Sequence, residues 1–213
     1  MEKTEVALFP IPELVAFPGV TVPLHIFEPR YRRLVHESVE ANRMIAVSHT
    51  TKTIREAPRG LDTQSALNSN QATYESQTVF SAGRCEIVEM LADGRILAEV
   101  HMCDRLVMEE EVQVLPYRIV NCSILEDLPE LDTAQENEKL MHKIHTTLCE
   151  IVQRSNPDAV ASLKQPEWTG ISPSDYSFKI FQAVRLDPNL MQHILESRTA
   201  HERLRLIDGA FQS

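Results

Sequence analysis

The stretch Val20-Thr21-Val22-Pro23-Leu24-His25-Ile26-Phe27-Glu28-Pro29-Arg30-Tyr31-Arg32-Arg33-Leu34-Val35 changes its hydrophobic period partway along. Thr21 to Phe27 is β-branched and apolar, which predicts a strand, and Pro23 inside it points to a sheet edge or a bulge. Pro29 then predicts a helix start, because a proline's missing N–H has no partner at the first helical position. Tyr31, Leu34, Val35 and Val39 follow at a spacing of three or four and form one apolar stripe. Ahead of the strand, Phe17-Pro18-Gly19 reads as a turn: proline presets φ and glycine allows the reversal. Glu28 and Arg30 flank Pro29 at an otherwise apolar corner. Unpaired charge is costly to bury, so Glu28 is expected to brace the corner through a partner, with Arg105 as the candidate.

Outward from this corner the front half reads as strands. Glu5 to Phe9 is a short apolar run broken by Pro10-Ile11-Pro12, and Met44 to Ser48 is another. From about Thr50 to Gln77 the pattern dissolves into polar residues without a period. That is long for a loop, so residues 50–77 are expected to be a mobile segment, either a contact loop or, preferably, a tolerated surface insertion. Strands resume at Thr78. Cys85 to Leu91 leads into Ala92-Asp93-Gly94-Arg95, whose Asp-Gly signals a hairpin, and Ile96 to Met102 returns. Leu106–Val114 and Tyr117–Leu125 read as two more strands, parted near Pro116. Residues 1–125 are therefore expected to form a mostly antiparallel curled sheet or small barrel with one helix.

At Glu126 the composition shifts. Glu126, Asp127, Glu130 and Asp132 make an acidic connector, and everything beyond reads as helix. Thr133-Ala134-Gln135-Glu136 and Thr199-Ala200-His201-Glu202 fit capping boxes, Ser172-Pro173 is a further start, and Asp187-Pro188 combines a cap with a proline at the first position. Leu140, Ile144, Leu148, Ile151 and Val152 mark one inward face. So many helix starts imply a compact bundle over residues 126–213, and an α+β fold class for the whole.

A chain of 213 residues can bury a sizeable core without disulfides or metals. Its net charge of -10 disfavours nucleic-acid binding, and Arg30, Arg32 and Arg33, the one tight basic cluster, read as a solvated helix face. Cys85, Cys103, Cys122 and Cys149 have no CxxC spacing, and the opening Met1-Glu2-Lys3-Thr4-Glu5 is no leader. The expectation is a reduced, cytoplasmic, non-membrane protein. No glycine-rich phosphate loop, HExxH or CxxC is present, so no cofactor or metal is expected. His142, His145 and Cys149 share a helix face, but they read as residues flanking a core stripe rather than ligands. His101 and Cys103, two apart on a strand, lack the orienting partner a nucleophile pair needs. Glu109, Glu110 and Glu111 alternate faces and read as a solvated edge.

Leu8-Phe9-Pro10-Ile11, Val15-Ala16-Phe17-Pro18-Gly19 and Pro23-Leu24-His25-Ile26-Phe27-Glu28-Pro29-Arg30-Tyr31 together resemble the opening of the Lon protease N-terminal domain family. Gly83, Ile87 and Asp93-Gly94-Arg95 resemble that family's hairpin. Arg105 falls where the family has an arginine, without the usual preceding glycine. The tail from Phe178 through Arg203-Leu204 resembles its closing helices. The resemblance implies a PUA-like β-rich subdomain followed by a helical bundle. It also implies a non-catalytic substrate-binding module, a free-standing member without the family's ATPase and Ser–Lys peptidase domains.

Three functions follow as expectations. The first is a polypeptide-binding module, contacting clients through Phe17, Pro18, Val20 and Phe27. Phe9, Pro10, Gly19, Pro23, Glu28, Pro29, Arg30, Tyr31 and Arg105 would then build the corner behind them. Core roles compete with contact roles, more strongly at Phe27 than at Phe17. The second is an adaptor that binds one specific protein through the acidic connector or the bundle. The third is a thiol-dependent enzyme centred on Cys85, His101 and Cys103. The oligomeric state is left open.

Overall fold

In a computed structural model, residues 3–56, 69–70, 72–130 and 132–212 are described. The chain divides into two compact units, Met1–Leu125 and Glu126–Ser213. The first unit carries β1 (Thr4–Pro10), β2 (Thr21–Ile26), α1 (Pro29–Glu40), β3 (Met44–Ser48), β4 (Thr50–Arg55), β5 (Thr73–Ser76), β6 (Val79–Met90), β7 (Ile96–Gln113) and β8 (Arg118–Ile124). The second carries α2 (Ala134–Ser155), α3 (Val160–Leu163), α4 (Pro166–Thr169), α5 (Pro173–Lys179), α6 (Pro188–Glu196) and α7 (Ala200–Gln212), with two short 3-10 turns between them.

The sheet runs β2-β7-β6-β3-β1-β8, and a further β7–β8 pairing closes β7, β6, β3, β1 and β8 into a ring. Every pairing is antiparallel except β1 with β3, which the excursion through β2 and α1 makes parallel. β7 is a single strand of 18 residues where the sequence suggests two. Its first part pairs with β2 and β6, and its last part with β8. Register shifts leave Cys103, Glu109 and Val112 as extra residues along it. Each bulge bends the strand, and this bending lets one strand serve both sides of a small barrel.

The barrel has two apolar clusters. Val6 and Leu8 of β1 join Phe80, Leu106 and Val120 in one. Ala7, between them, points to the other face and joins Ile45, Ile96, Val100, the inward residues of β2 and the α1 stripe. Three of the four expected stripe residues, Tyr31, Leu34 and Val35, are buried; Val39 is 41% exposed and lies outside it.

The segment from Thr50 to Gln77 is not featureless: its two ends pair as the antiparallel ribbon β4–β5, while residues 57–68 and 71 lie outside the described residues. β4 shows no burial alternation because none of its residues is buried, so the ribbon left no period to read.

In the second unit, α2 packs along α5 and α7, and α6 against α7. Three helix starts behave as expected. Ser172 Oγ accepts from Asp175 N, Asp187 accepts from Asn189 N and Leu190 N, and Thr199 Oγ1 accepts from Glu202 N. The Thr133 box does not form. Thr133 is helical in φ and ψ and caps no backbone donor, while its hydroxyl takes an Asn137 side-chain N–H instead. The buried face of α2 is Asn137, Met141, Ile144 and Leu148, with Ile151 exposed.

Candidate functional site

The corner read from sequence borders a groove of about 430 Å³. Phe9, Ile11, Leu14, Leu24, Phe27 and Tyr31 line it, together with Pro10, Pro12 and Pro23. β1 delivers Phe9, the proline-broken connection delivers Ile11 and Leu14, and β2 runs along one side. β2 pairs only with β7, so it is an edge strand among the described residues, the position Pro23 suggests. The groove opens onto the core, since Phe9, Ile11 and Leu14 pack against the same cluster as Leu24 and Tyr31.

Phe9 stacks on Tyr31 with ring centroids 4.1 Å apart, and the Arg30 guanidinium lies 4.5 Å from the Tyr31 centroid. Arg30 Nε donates to Glu28 at 2.9 Å, Nη2 to Ala72 O at 2.6 Å, and Nη1 to Thr73 Oγ1 at 3.1 Å. The corner arginine therefore fastens the start of β5 beside the groove. Glu28 is held by Arg30 at 2.8 Å. Arg30 thus braces the corner through Glu28, and Arg105, the partner expected from sequence, lies in register with Ser81 on β7. Arg32 donates to Gly94 O, and Arg33 pairs with Glu37, so the basic cluster is engaged internally.

Tyr31 is 7% exposed, and burial, opposed by the neighbouring Arg30, pushes its phenol up to about 12. The folded state thus holds this proton more tightly than an unfolded tyrosine at about 10 does, so its contribution is complete below pH 10 and is lost as pH rises toward 12. Tyr31→Phe is expected to lose less stability than the parent between pH 9 and pH 11. Equal losses in denaturant midpoints would contradict this.

The structure redistributes the expected contact residues. Phe17 is 1% exposed and belongs to the core; a docked chain does not reach it. Phe27, the residue with the stronger core expectation, is half-buried and lines the groove. Pro18 and Gly19 occupy the middle of a turn closed by Val20 N to Phe17 O, with Gly19 at φ +77, where proline-then-glycine fits. The turn ties back through Gly19 N to Met102 O, and neither Pro18 nor Val20 lines the groove. Sequence reasoning missed Ile11, Leu14 and Tyr74, which do. Ile11 and Leu14 carried a signal: apolar residues beside prolines that end a strand.

The alternative sites fare differently. His101 bonds Thr21 Oγ1 at 3.0 Å, whereas Cys103, the extra residue of a bulge, turns its thiol to Ala82 O and Asp104. They form no His–thiol pair. Burial pushes Cys85 up to about 11 and raises Cys103, the direction away from a thiolate at neutral pH. No group of three metal-ligating side chains exists among the described residues, and no helix there is long and apolar enough to cross a membrane.

Two of the four acids of the connector are engaged within the helical unit, while Glu126 and Asp132 are exposed. Asp127 accepts from both Nη1 and Nη2 of Arg203 at 2.8 and 2.7 Å. Glu130 accepts from His201 N at 2.8 Å and from Asn137 Nδ2 at 3.2 Å. Arg203 itself is 0% exposed. Its Nε reaches Ser177 Oγ, its remaining donors reach Ser197 O and Ser174 Oγ, and Phe178 lies under its plane at 4.2 Å. Arg203 shares the period of Ala200, Leu204 and Ile207, so an arginine in phase with an apolar stripe was the available signal.

No curated protein matches the chain in sequence. Solved structures do match. The N-terminal domain of Mycobacterium avium complex Lon protease aligns with a TM-score of 0.67 at 16% identity, covering 99% of each chain. The Lon N-terminal domain protein from Xanthomonas campestris aligns with a TM-score of 0.61, also at 16% identity, covering 95% of each. At such identity the likeness shows the fold. The family model for the ATP-dependent protease La (LON) substrate-binding domain matches residues 5–208, and the chain belongs to that family.

Proposed function

We propose that this domain binds polypeptide without acting on it, taking an extended apolar segment into the groove between the proline-broken β1–β2 connection and the edge strand β2. The observation that carries this reading is the groove itself: a concave apolar surface of about 430 Å³ built by the corner residues. Apolar concavities beside an unpaired strand edge are a recurring means of gripping extended chains. Family membership supports a substrate-binding role. Asp127 and Glu130 are occupied within the helical unit, which leaves Glu126 and Asp132 as the acids of the connector open to an adaptor's partner.

The test is fluorescence-anisotropy binding of a labelled, permanently unfolded model polypeptide. Phe27→Asp is expected to weaken binding at least about tenfold, because one lost apolar contact of about 1.5 kcal/mol corresponds to that factor. Leu115→Asp, at a residue 80% exposed in the β7–β8 turn, is expected to leave binding unchanged. If Leu115→Asp abolishes binding and Phe27→Asp does not, the groove is not the site.

A further inference from the structure

The helical unit holds a cluster that plays no part in the groove. On α2, Cys149 Sγ lies 3.7 Å from His145 Nε2, and the other ring nitrogen, Nδ1, lies 3.4 Å from the Tyr176 hydroxyl of α5. One helical turn separates His145 and Cys149, which brings them together automatically. What the tertiary fold adds is Tyr176, 0% exposed and edge-on to both His145 and Trp168. A nucleophile, a base and a group that orients the base is the arrangement a reactive thiol requires. One turn further on, Val152 lines a cavity of about 420 Å³ with Leu163 and Trp168, the ring in edge contact with Tyr176.

We propose that Cys149 is a modification site: a thiol activated by His145, with Tyr176 as a positioning residue, that exchanges with small neutral disulfides. With Nδ1–H donating to the Tyr176 oxygen, the Nε2 lone pair faces Sγ. Sγ passes its proton to Nε2 and attacks one sulfur of the disulfide. A Cys149–S–S–R bond forms as the S–S bond of the reagent breaks, and the departing thiolate takes the proton from Nε2. The reagent disulfide is reduced and Cys149 is oxidised, so electrons balance. Burial lowers His145, His142 adds to the effect and a bond to the Leu163 backbone opposes it, so the ring is kept neutral and able to accept a proton. Burial raises Tyr176 and keeps it a phenol. The titratable groups facing His145 are His142 and Cys149 on its own helix and Tyr176 from α5.

The other three thiols provide the internal comparison. Burial pushes Cys85 to about 11 and Cys122 to about 12, and burial and Asp104 raise Cys103. Whole protein treated at neutral pH with limiting hydroxyethyl disulfide, then mapped by peptide mass spectrometry, is expected to carry the mixed disulfide on Cys149 first. The excess over exposed Cys103 should be several-fold, and over Cys85 and Cys122 at least about tenfold. His145→Gln should slow Cys149 about tenfold while leaving Cys103 unchanged. Tyr176→Phe should move the midpoint of the Cys149 pH–rate profile, a readout that packing alone would not shift. Preferential labelling of Cys103 in the unmodified sequence overturns the proposal, whether or not the variants fold. So does an unchanged Cys149 rate in a folded His145→Gln protein.

Discussion

Arg203→Ala is expected to destabilise the helical unit by about 2–4 kcal/mol, chiefly the void left by a wholly buried side chain and the loss of its hydrogen bonds, since its partner Asp127 keeps about a third of its side chain in solvent. The arginine is wholly buried, and its five hydrogen bonds go to Asp127, Ser174, Ser177 and Ser197. Removing it takes the guanidinium from the Asp127 carboxylate, which keeps the Ser174 hydroxyl as a donor, and takes one donor each from the Ser174 and Ser177 hydroxyls. It also opens a void beside Phe178. The sequence contains one tryptophan, and Trp168 is 6% exposed within this unit, so denaturant unfolding followed by its fluorescence reports on this unit directly. The control is the double variant Arg203→Met with Asp127→Leu. Refilling the arginine's buried volume while removing the carboxylate it would strand is expected to recover part of the loss. A loss below about 1 kcal/mol for Arg203→Ala would show that the cluster does not hold the helices together.

Gly83→Ala should be as damaging in the barrel, for a steric rather than an electrostatic reason. A Cβ at Gly83 would stand 1.9 Å from His101 O, 2.5 Å from His101 C and 2.7 Å from Met102 Cα. All three are backbone atoms of β7 beside the Cys103 bulge, so no side chain can swing away. Either β6 and β7 separate there or the bulge is lost, and the bend that carries β7 from one partner to the other goes with it. The expected loss is about 3 kcal/mol or more, measured as a fall in the circular-dichroism melting midpoint. Gly209→Ala, within α7 and with nothing within 4 Å of its added Cβ, is the contrasting substitution; it should raise stability by about 0.5–1 kcal/mol.

What could be read in the sequence follows from which residues carry a period. The strand-to-helix corner was legible because proline, glycine and an apolar stripe each act over a few residues and agree with one another. The hairpin at Asp93-Gly94 was legible for the same reason, and Gly94 adopts φ +82 there. β7 was split in two because inward residues run at 96, 98, 100 and 102 and then resume at 105 and 106. The bulge at Cys103 resets the alternation, and a phase reset looks like a strand end. β4 and β5 were invisible because a ribbon with one buried residue has no hydrophobic face to alternate. The groove was read in part. Its corner was seen, but which aromatic faces it depended on how the Phe17 turn folds back toward Met102, a long-range contact no local pattern encodes.

Pro23 has a consequence for how copies of this chain treat one another. It stands in the middle of the edge strand and offers no N–H to a neighbour. A second molecule laid along β2 finds its ladder interrupted at the midpoint, so crowding at high concentration does not readily zip edges into larger assemblies. The same gap makes the edge a poor judge of backbone and leaves discrimination to the side-chain surface beside it. An edge strand left unpaired along one side is thereby kept from recruiting its own kind.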